Sequence, residues 1–457
     1  MDRFGSSYSY GNLHVLPASS EDNPECLTQD EAILEQFAQH RWALPDLRTL
    51  HIMRVRIASH KTEARMPQAR GRTAQRTHTF TESVIREMTR VAHEYDAVNL
   101  AQGFPDFPAP TLLKEAAAKA IYDDINQYAI TWGTPRLRHA LARKYFDLYG
   151  IGVDPEREIT ITCGATEAMA SIMLALVDPG DEVVVFEPFY ENYGPDTVLS
   201  NAKPVFITLE PPDYRLDPDQ LEAAIGPRTK ALVLNTPNNP TGRVFDREEL
   251  QGVVDLCLKH DILAITDEIY EHIHYTGEHI PLATWDGMAD RTITVSGLSK
   301  TFSVTGWRVG TIVAPPDLTD AIRKVHDFLT VGAPAPLQEA CAVGIEELGS
   351  EYYESLAAEY GKRGNILSKA LHEAGFNCST PEGAYYILAD FSNISGKDDT
   401  TFAKHLARDA GVASVPGSSF FSVPERGASL VRFAFCKRIE TLHDAGERLR
   451  AYAEHRT

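Results

Sequence analysis

Ser296-Gly297-Leu298-Ser299-Lys300-Thr301-Phe302-Ser303-Val304-Thr305-Gly306-Trp307-Arg308-Val309-Gly310 is the stretch around which the chain is organised. It follows the apolar, strand-like run Thr292-Ile293-Thr294-Val295, so Lys300 arrives at the end of a buried strand. A lysine in that setting is costly unless it is used. Small and hydroxyl residues around it leave room for a bulky aldehyde. An ordinary lysine titrates at about 10.4 and is nearly inert as a nucleophile at neutral pH. Partial burial and a nearby cation lower that value, which is how Schiff-base lysines are made. Arg308, past a bend at Thr305-Gly306, supplies the cation. A lysine for an aldehyde and an arginine for a phosphate point to pyridoxal 5'-phosphate. The plain alternative is a glycine-rich strand-to-strand turn with an exposed lysine, because short glycine motifs recur by chance.

Outward from this stretch, strand and helix patterns alternate. Strands are expected at Ile159–Cys163, Glu182–Phe186, Pro204–Thr208, Lys230–Asn235, Leu263–Thr266, Thr292–Ser296 and Val309–Ala314. Helices are expected at Glu167–Leu176, Asp217–Ile225, Arg247–His260 and Asp317–His326. Several strands are apolar on both faces, as a buried, mainly parallel sheet requires. Earlier, helices are expected at Ser83–Tyr95, Thr111–Asp123 and Arg136–Tyr149, with an extended loop over Val98–Pro108 that holds two prolines and a glycine. After about Leu337 the pattern turns to α+β: long helices at Gln338–Glu347 and Tyr352–Ala374, then short strands near Ala384–Asp390 and Ser429–Phe435. The expected organisation is an N-terminal extension (1–78), a segment belonging to the smaller domain (79–110), a large domain (111–337) and a small C-terminal domain (338–457).

Residues 1–78 differ from the rest. Met1–Pro24 is rich in Ser, Tyr, Gly and Pro, and one short helix fits Asp30–Trp42. A basic segment follows, from Arg48 to Arg76, with Glu63 as its single acid. A solvated linker, a docking or nucleic-acid arm, and an over-extended start with Met53 or Met66 as the true first residue all compete here.

The chain has 457 residues and a formal charge of -20, which argues against general nucleic-acid or acidic-membrane binding. Its six cysteines form no CxxC pair or metal-ligand spacing and read as reduced thiols of a cytoplasmic protein. No apolar run is long enough to span a bilayer, and the acidic start lacks the order of a signal peptide.

A pyridoxal phosphate enzyme needs an anion at the ring nitrogen, donors at the phenolic oxygen and a phosphate cup, besides its lysine. Asp267, at the C-terminal end of the apolar run Leu263–Thr266, is the candidate anion, with Glu268 as a rival and a helix cap as the plain alternative. Tyr270, and Asn239 in Asn235-Thr236-Pro237-Asn238-Asn239-Pro240-Thr241-Gly242, suit the phenolic oxygen. The cup begins at Thr162-Cys163-Gly164-Ala165-Thr166-Glu167. Here a strand ends, glycine permits close approach, and the N–H groups of Ala165 and Thr166 open a helix. Arg308 grips phosphate bidentately. Ser299 is the hydroxyl candidate, with Ser296 as the other choice.

Together these motifs, from about Phe80 to the C-terminus, resemble the class I/II aminotransferases, pyridoxal phosphate enzymes of fold type I. The Gln102–Pro108 and Asn235–Pro240 runs are most similar to the kynurenine/glutamine-type and prokaryotic aspartate-type branches. The resemblance implies an α/β fold: a large domain with a mainly parallel, mixed seven-stranded sheet plus a smaller α+β domain. The sheet's one antiparallel strand would be Val309–Ala314. It implies that Tyr190 stacks on the cofactor face, with Phe189 as the alternative, and that Tyr128 reaches the phosphate of a neighbouring subunit in a homodimer. It further implies that Arg432 pairs the substrate α-carboxylate, with the Gly103 backbone and Asn239 beside it. Many relatives carry a hydroxyl three positions before the lysine, where this chain has Gly297. The aromatic and histidine that glutamine/kynurenine-type relatives place near substrate correspond to Ile85 and Gly332. The implied activity is amino-group transfer between an L-amino acid and a 2-oxo acid. Elimination, replacement, carbon–carbon bond formation or oxidation on the same fold is the second reading, and a ligand-sensing regulator the third.

Overall fold

The computed structural model describes residues 73–455, apart from 79 and 81. The helix expected over Asp30–Trp42 and the basic run as far as Arg72 lie outside the described residues.

Seven strands form the central sheet: β1 Ile159–Thr162, β2 Glu182–Glu187, β3 Lys203–Thr208, β4 Thr229–Asn235, β5 Leu263–Asp267, β6 Thr292–Gly297 and β7 Gly310–Val313. Their order across the sheet is β1-β7-β6-β5-β4-β2-β3. β7 runs antiparallel to both neighbours, and the other pairs are parallel. The strands are β-rich because both faces are covered. Val183 and Val185 pack in one core cluster with Met169 and Ile172 of α1 (Ala165–Leu176). Val184 and Phe186 point the other way, into the cluster holding Leu250 and Val253 of α2 (Arg247–His260). A side-chain period of two therefore places apolar residues on both faces.

The C-terminal ends of the parallel strands converge. β4 ends at Asn235, β5 at Asp267, and β6 at Gly297, where the single turn α3 (Leu298–Thr301) begins and carries Lys300. α3 escapes a pattern search because four residues show no helical period, and an isolated turn is unstable alone.

A second sheet contains β8 Asn377–Cys378, β9 Tyr386–Asp390, β10 Val415–Pro416 and β11 Leu430–Ala434, in the order β10-β11-β9-β8. Its antiparallel register sets Arg432 of β11 opposite Leu388. The Val98–Pro108 reading needs one correction: Val98–Asn99 pairs in parallel with Val412–Ala413 before the chain becomes irregular. Two residues are too few to display alternation. Ile439–Glu454, which the sequence reading left unassigned, is a helix burying Leu442, Ala445 and Leu449. Among the described residues no helix is long and apolar enough to cross a membrane.

Candidate active site

A cavity of about 1020 Å³ opens where the strand ends meet. Its lining includes Gly103, Ala165, Thr166, Tyr190, Asn239, Asp267, Tyr270, Ser299, Lys300, Arg308 and Arg432. Eleven of the twelve expected site residues thus share one space. The twelfth, Tyr128, is 90% exposed and away from this cavity in the single chain.

Asp267 closes the deep side. Its carboxylate accepts a hydrogen bond from the Tyr193 hydroxyl at 2.6 Å and from the Ile269 N–H at 3.2 Å. Burial pushes its pKa up, against the Tyr193 bond and the Lys300 charge. An ionised carboxylate in this place therefore lacks a full counter-charge from the protein. Glu268 faces away, bonded to Thr266 and to His279 at 2.9 Å, so it is no rival for the cavity. Alternation along the chain past β5 separates the two carboxylates.

Lys300 reaches into the cavity from α3. Its ammonium lies 5.9 Å from the Tyr270 ring centroid and 5.6 Å from that of Tyr385, and it donates to the Gly103 carbonyl at 3.4 Å. Burial lowers its pKa to about 8; the Arg308 charge acts in the same direction, while Cys436 and Asp267 oppose it. Tyr270 donates to the Tyr386 hydroxyl at 3.1 Å, a partner that no sequence motif announced.

The anion cup is shaped by two glycines. Gly164 has a φ of +81°, and a Cβ there would meet the Arg308 guanidinium at 2.3 Å. A Cβ on Gly310 would lie 2.4 Å from the Gly164 carbonyl carbon and 2.6 Å from the Ala165 nitrogen. β7 therefore presses backbone to backbone on the turn that opens α1. The helix has no side-chain cap, and its first residues, Ala165 and Thr166, line the cavity together with Arg308. Gly310→Ala is expected to cost about 1–3 kcal/mol of stability through overpacking. Denaturant unfolding checks this, and an unchanged midpoint would contradict the close approach.

Packing separates the two serines. Ser296 turns to Glu271 at 2.7 Å and lies off the cavity, whereas Ser299 lines it. At Gly297 a Cβ would meet Ile269 Cδ1 at 2.9 Å and the Val309 carbonyl at 3.1 Å, which explains why no hydroxyl residue occupies that position. Tyr190 lines the cavity, while Phe189 stacks on Phe206 with ring centroids 5.3 Å apart.

Arg432 enters from β11 and is 1% exposed. It donates to Asn239 Oδ1 at 2.9 Å and the Ala101 carbonyl at 2.8 Å, and its Nε has no partner. Its guanidinium lies 4.3 Å from the Tyr386 ring centroid and 5.0 Å from that of Phe420. No carboxylate pairs it among the described residues. Neutral acceptors alone hold this buried guanidinium, an arrangement that favours an anion beside it. Asn239 is itself placed by its N–H bond to Asn235 Oδ1 at 2.8 Å, and Asn235 donates to the Asp267 carbonyl at 2.8 Å. Ile85 lines the cavity, whereas Gly332 lies outside it, its carbonyl bonded by Cys163.

Residues 95–449 match the family model described as aminotransferase class I and II. The probable N-succinyldiaminopimelate aminotransferase of Mycobacterium tuberculosis is 38% identical over 393 residues, covering 84% of this chain and 99% of that protein. Its solved structure superposes with a TM-score of 0.81 over 83% of this chain and 99% of that chain. Human kynurenine–oxoglutarate transaminase 1 and the methionine aminotransferase of Escherichia coli are each 37% identical, covering 80% of this chain and 94% and 95% of their own lengths, respectively. The chain belongs to the class I and II aminotransferase family and is an enzyme of amino-group transfer between amino acids and 2-oxo acids.

Proposed function

We propose that this aminotransferase holds pyridoxal 5'-phosphate in the cavity described above. The observation that carries the reading is the joint presence of Lys300, the buried Asp267 carboxylate and the glycine-shaped anion cup with Arg308 in one space. The fit rests on charge. A protonated ring nitrogen supplies the cation that Asp267 lacks, and a phosphate supplies the anion that Arg308 and the uncapped helix of Ala165 and Thr166 await. Ser299 would donate to the same phosphate, Tyr190 would cover the ring face, and Asn239 would donate to its phenolic oxygen, as would Tyr270 once its single hydroxyl proton turns from Tyr386. Bound there, the cofactor provides an aldehyde that condenses with amines and a ring that draws electrons from a bond broken at Cα.

The remaining chemistry belongs to the chain. Arg432, with Asn239 and the Gly103 backbone, orients the substrate α-carboxylate and so fixes which Cα bond faces Lys300. With its amine free and neutral, Lys300 would serve as the general base, holding the substrate Cα proton on its Nζ. Asp267 holds the ring proton throughout. An acceptor 2-oxo acid then runs the same steps backwards, in ping-pong order.

The organisation into a large domain (111–337) and a small one (338–457 with 79–110) is part of the proposal. It is supported by the pairing of Val98–Asn99 with Val412–Ala413 and by Arg432 bonding the Ala101 carbonyl. So is a homodimer in which Tyr128 reaches the neighbour's phosphate. Tyr122, Ile125, Tyr128, Ile130 and Phe328 are exposed apolar residues of the kind an interface covers. A cytoplasmic location, without nucleic-acid or membrane partners, completes it.

The test is a half-reaction. Without acceptor, a reactive amino donor should release one 2-oxo acid per site and then stop; adding an acceptor should restore turnover. Screening amino acids against 2-oxo acids in this format identifies the pair. The single-turnover rate should rise with pH through about 8, because lowering the Lys300 pKa makes its neutral, basic form available there. Continuous product without acceptor, or a rate falling over that range, would contradict the scheme.

A further inference from the structure

We infer that His326 is a positioning residue for the phosphate cup: held as an imidazolium, it neutralises Glu167 beneath the bound anion. The inference rests on the cup reading above and concerns residues outside the cavity lining.

His326 lies on α4 (Pro316–Thr330) and is fully buried. Its Nε2 stands 2.8 Å from the Thr131 carbonyl, which can only accept. Its Nδ1 stands 3.0 Å from Glu167 Oε1 and 3.2 Å from Oε2. The Thr330 hydroxyl is farther, at 3.4 Å. A neutral imidazole would turn a lone pair on either the carbonyl or the carboxylate. Both nitrogens therefore carry protons. Burial opposes that charge, but the Glu167 contact outweighs it and raises the His326 pKa, helped by Thr131 and by Asp327 on the same helix.

Glu167 is surrounded by donors: the Cys163 N–H at 3.0 Å, Ser171 Oγ and, as an imidazolium, His326. It sits in the first turn of α1, next to Ala165 and Thr166. A carboxylate there suits a free helix N-terminus but competes with a phosphate for the same dipole. Cys163, whose thiol feels the charges of both Glu167 and Arg308, lies beside it. Arg308 serves the phosphate directly. His326 is thus the cation that cancels the Glu167 charge, while joining α1, α4 and the Thr131 loop.

The experiment measures affinity of apoenzymes for pyridoxal 5'-phosphate across neutral to alkaline pH, with the imidazole protonation of His326 followed by nitrogen NMR. His326→Gln should bind about ten-fold more weakly at neutral pH, the scale of a charge at a helix end. The parent should lose affinity as pH rises past the His326 value, since a raised pKa keeps the imidazolium below it and releases the proton above. His326→Gln should lack that slope. Glu167→Gln, with His326 retained, should bind nearly as well as the parent, also without the slope. The double variant His326→Gln/Glu167→Gln should recover most of the lost affinity, which a purely packing role would not allow. Additive losses in the double variant, or a neutral His326 at neutral pH, would overturn the inference while leaving cofactor binding intact. A parent that binds no pyridoxal 5'-phosphate would instead overturn the reading beneath it.

Discussion

Lys300→Ala is expected to abolish turnover, with a loss of about 10⁴-fold or more, at the upper end of removing a positioned general base. In the proposed scheme the position is also the covalent anchor, so borohydride should no longer fix the cofactor to the chain. The variant should still fold. Lys300 makes one long hydrogen bond to the Gly103 carbonyl, and its ammonium is already disfavoured by burial. The measurement pairs steady-state amino transfer with mass analysis after reduction. Full activity, or a reduced adduct on another lysine, would show that the proton is moved elsewhere. The buried Lys144, bonded to Glu271 at 2.6 Å, is the natural control, since it is committed to an ion pair off the cavity.

Arg432→Gln should give the second large effect. Truncating one partner of a buried, hydrogen-bonded charge pair costs about 2–5 kcal/mol. That corresponds to a fall in kcat/KM for amino acids of roughly 30- to 5,000-fold. The discriminating comparison is an amine without a carboxylate, for which the loss should be much smaller. Arg432→Lys should recover little, because an ammonium keeps the charge without the planar fork. Equal losses with both donors would point to collapse of the Tyr386–Arg432–Phe420 stack and not to carboxylate recognition.

Much of this protein could be read along the chain because its chemistry sits at strand ends. Asp267, Asn239 and Lys300 each follow a run of β-rich apolar residues, and such runs are unmistakable when a sheet is buried on both faces. The turn at Gly164 and the arginine at position 308 are legible for a related reason: the phosphate cup proposed here calls for glycine and a fork, and both stand out in the sequence.

Other parts were not readable. Tyr193 and Tyr386 lie in no motif, yet they hold Asp267 and Tyr270. Their partners are 74 and 116 residues away, and no local pattern encodes such a pairing. His326 looks like one more polar residue of an amphipathic helix until Thr131 and Glu167 close on it from two other segments.

Sequence alone therefore determined the alternation of strand and helix, the lysine at the end of a buried strand, and the residues proposed as ring and phosphate partners, because each is set by neighbours within a few residues. The tertiary structure decided which member of each pair lines the cavity: Asp267 and not Glu268, Tyr190 and not Phe189, Ser299 and not Ser296. Each pair lies within three residues along the chain, and only packing against distant segments determines which member faces the cavity and which is spent inside the protein.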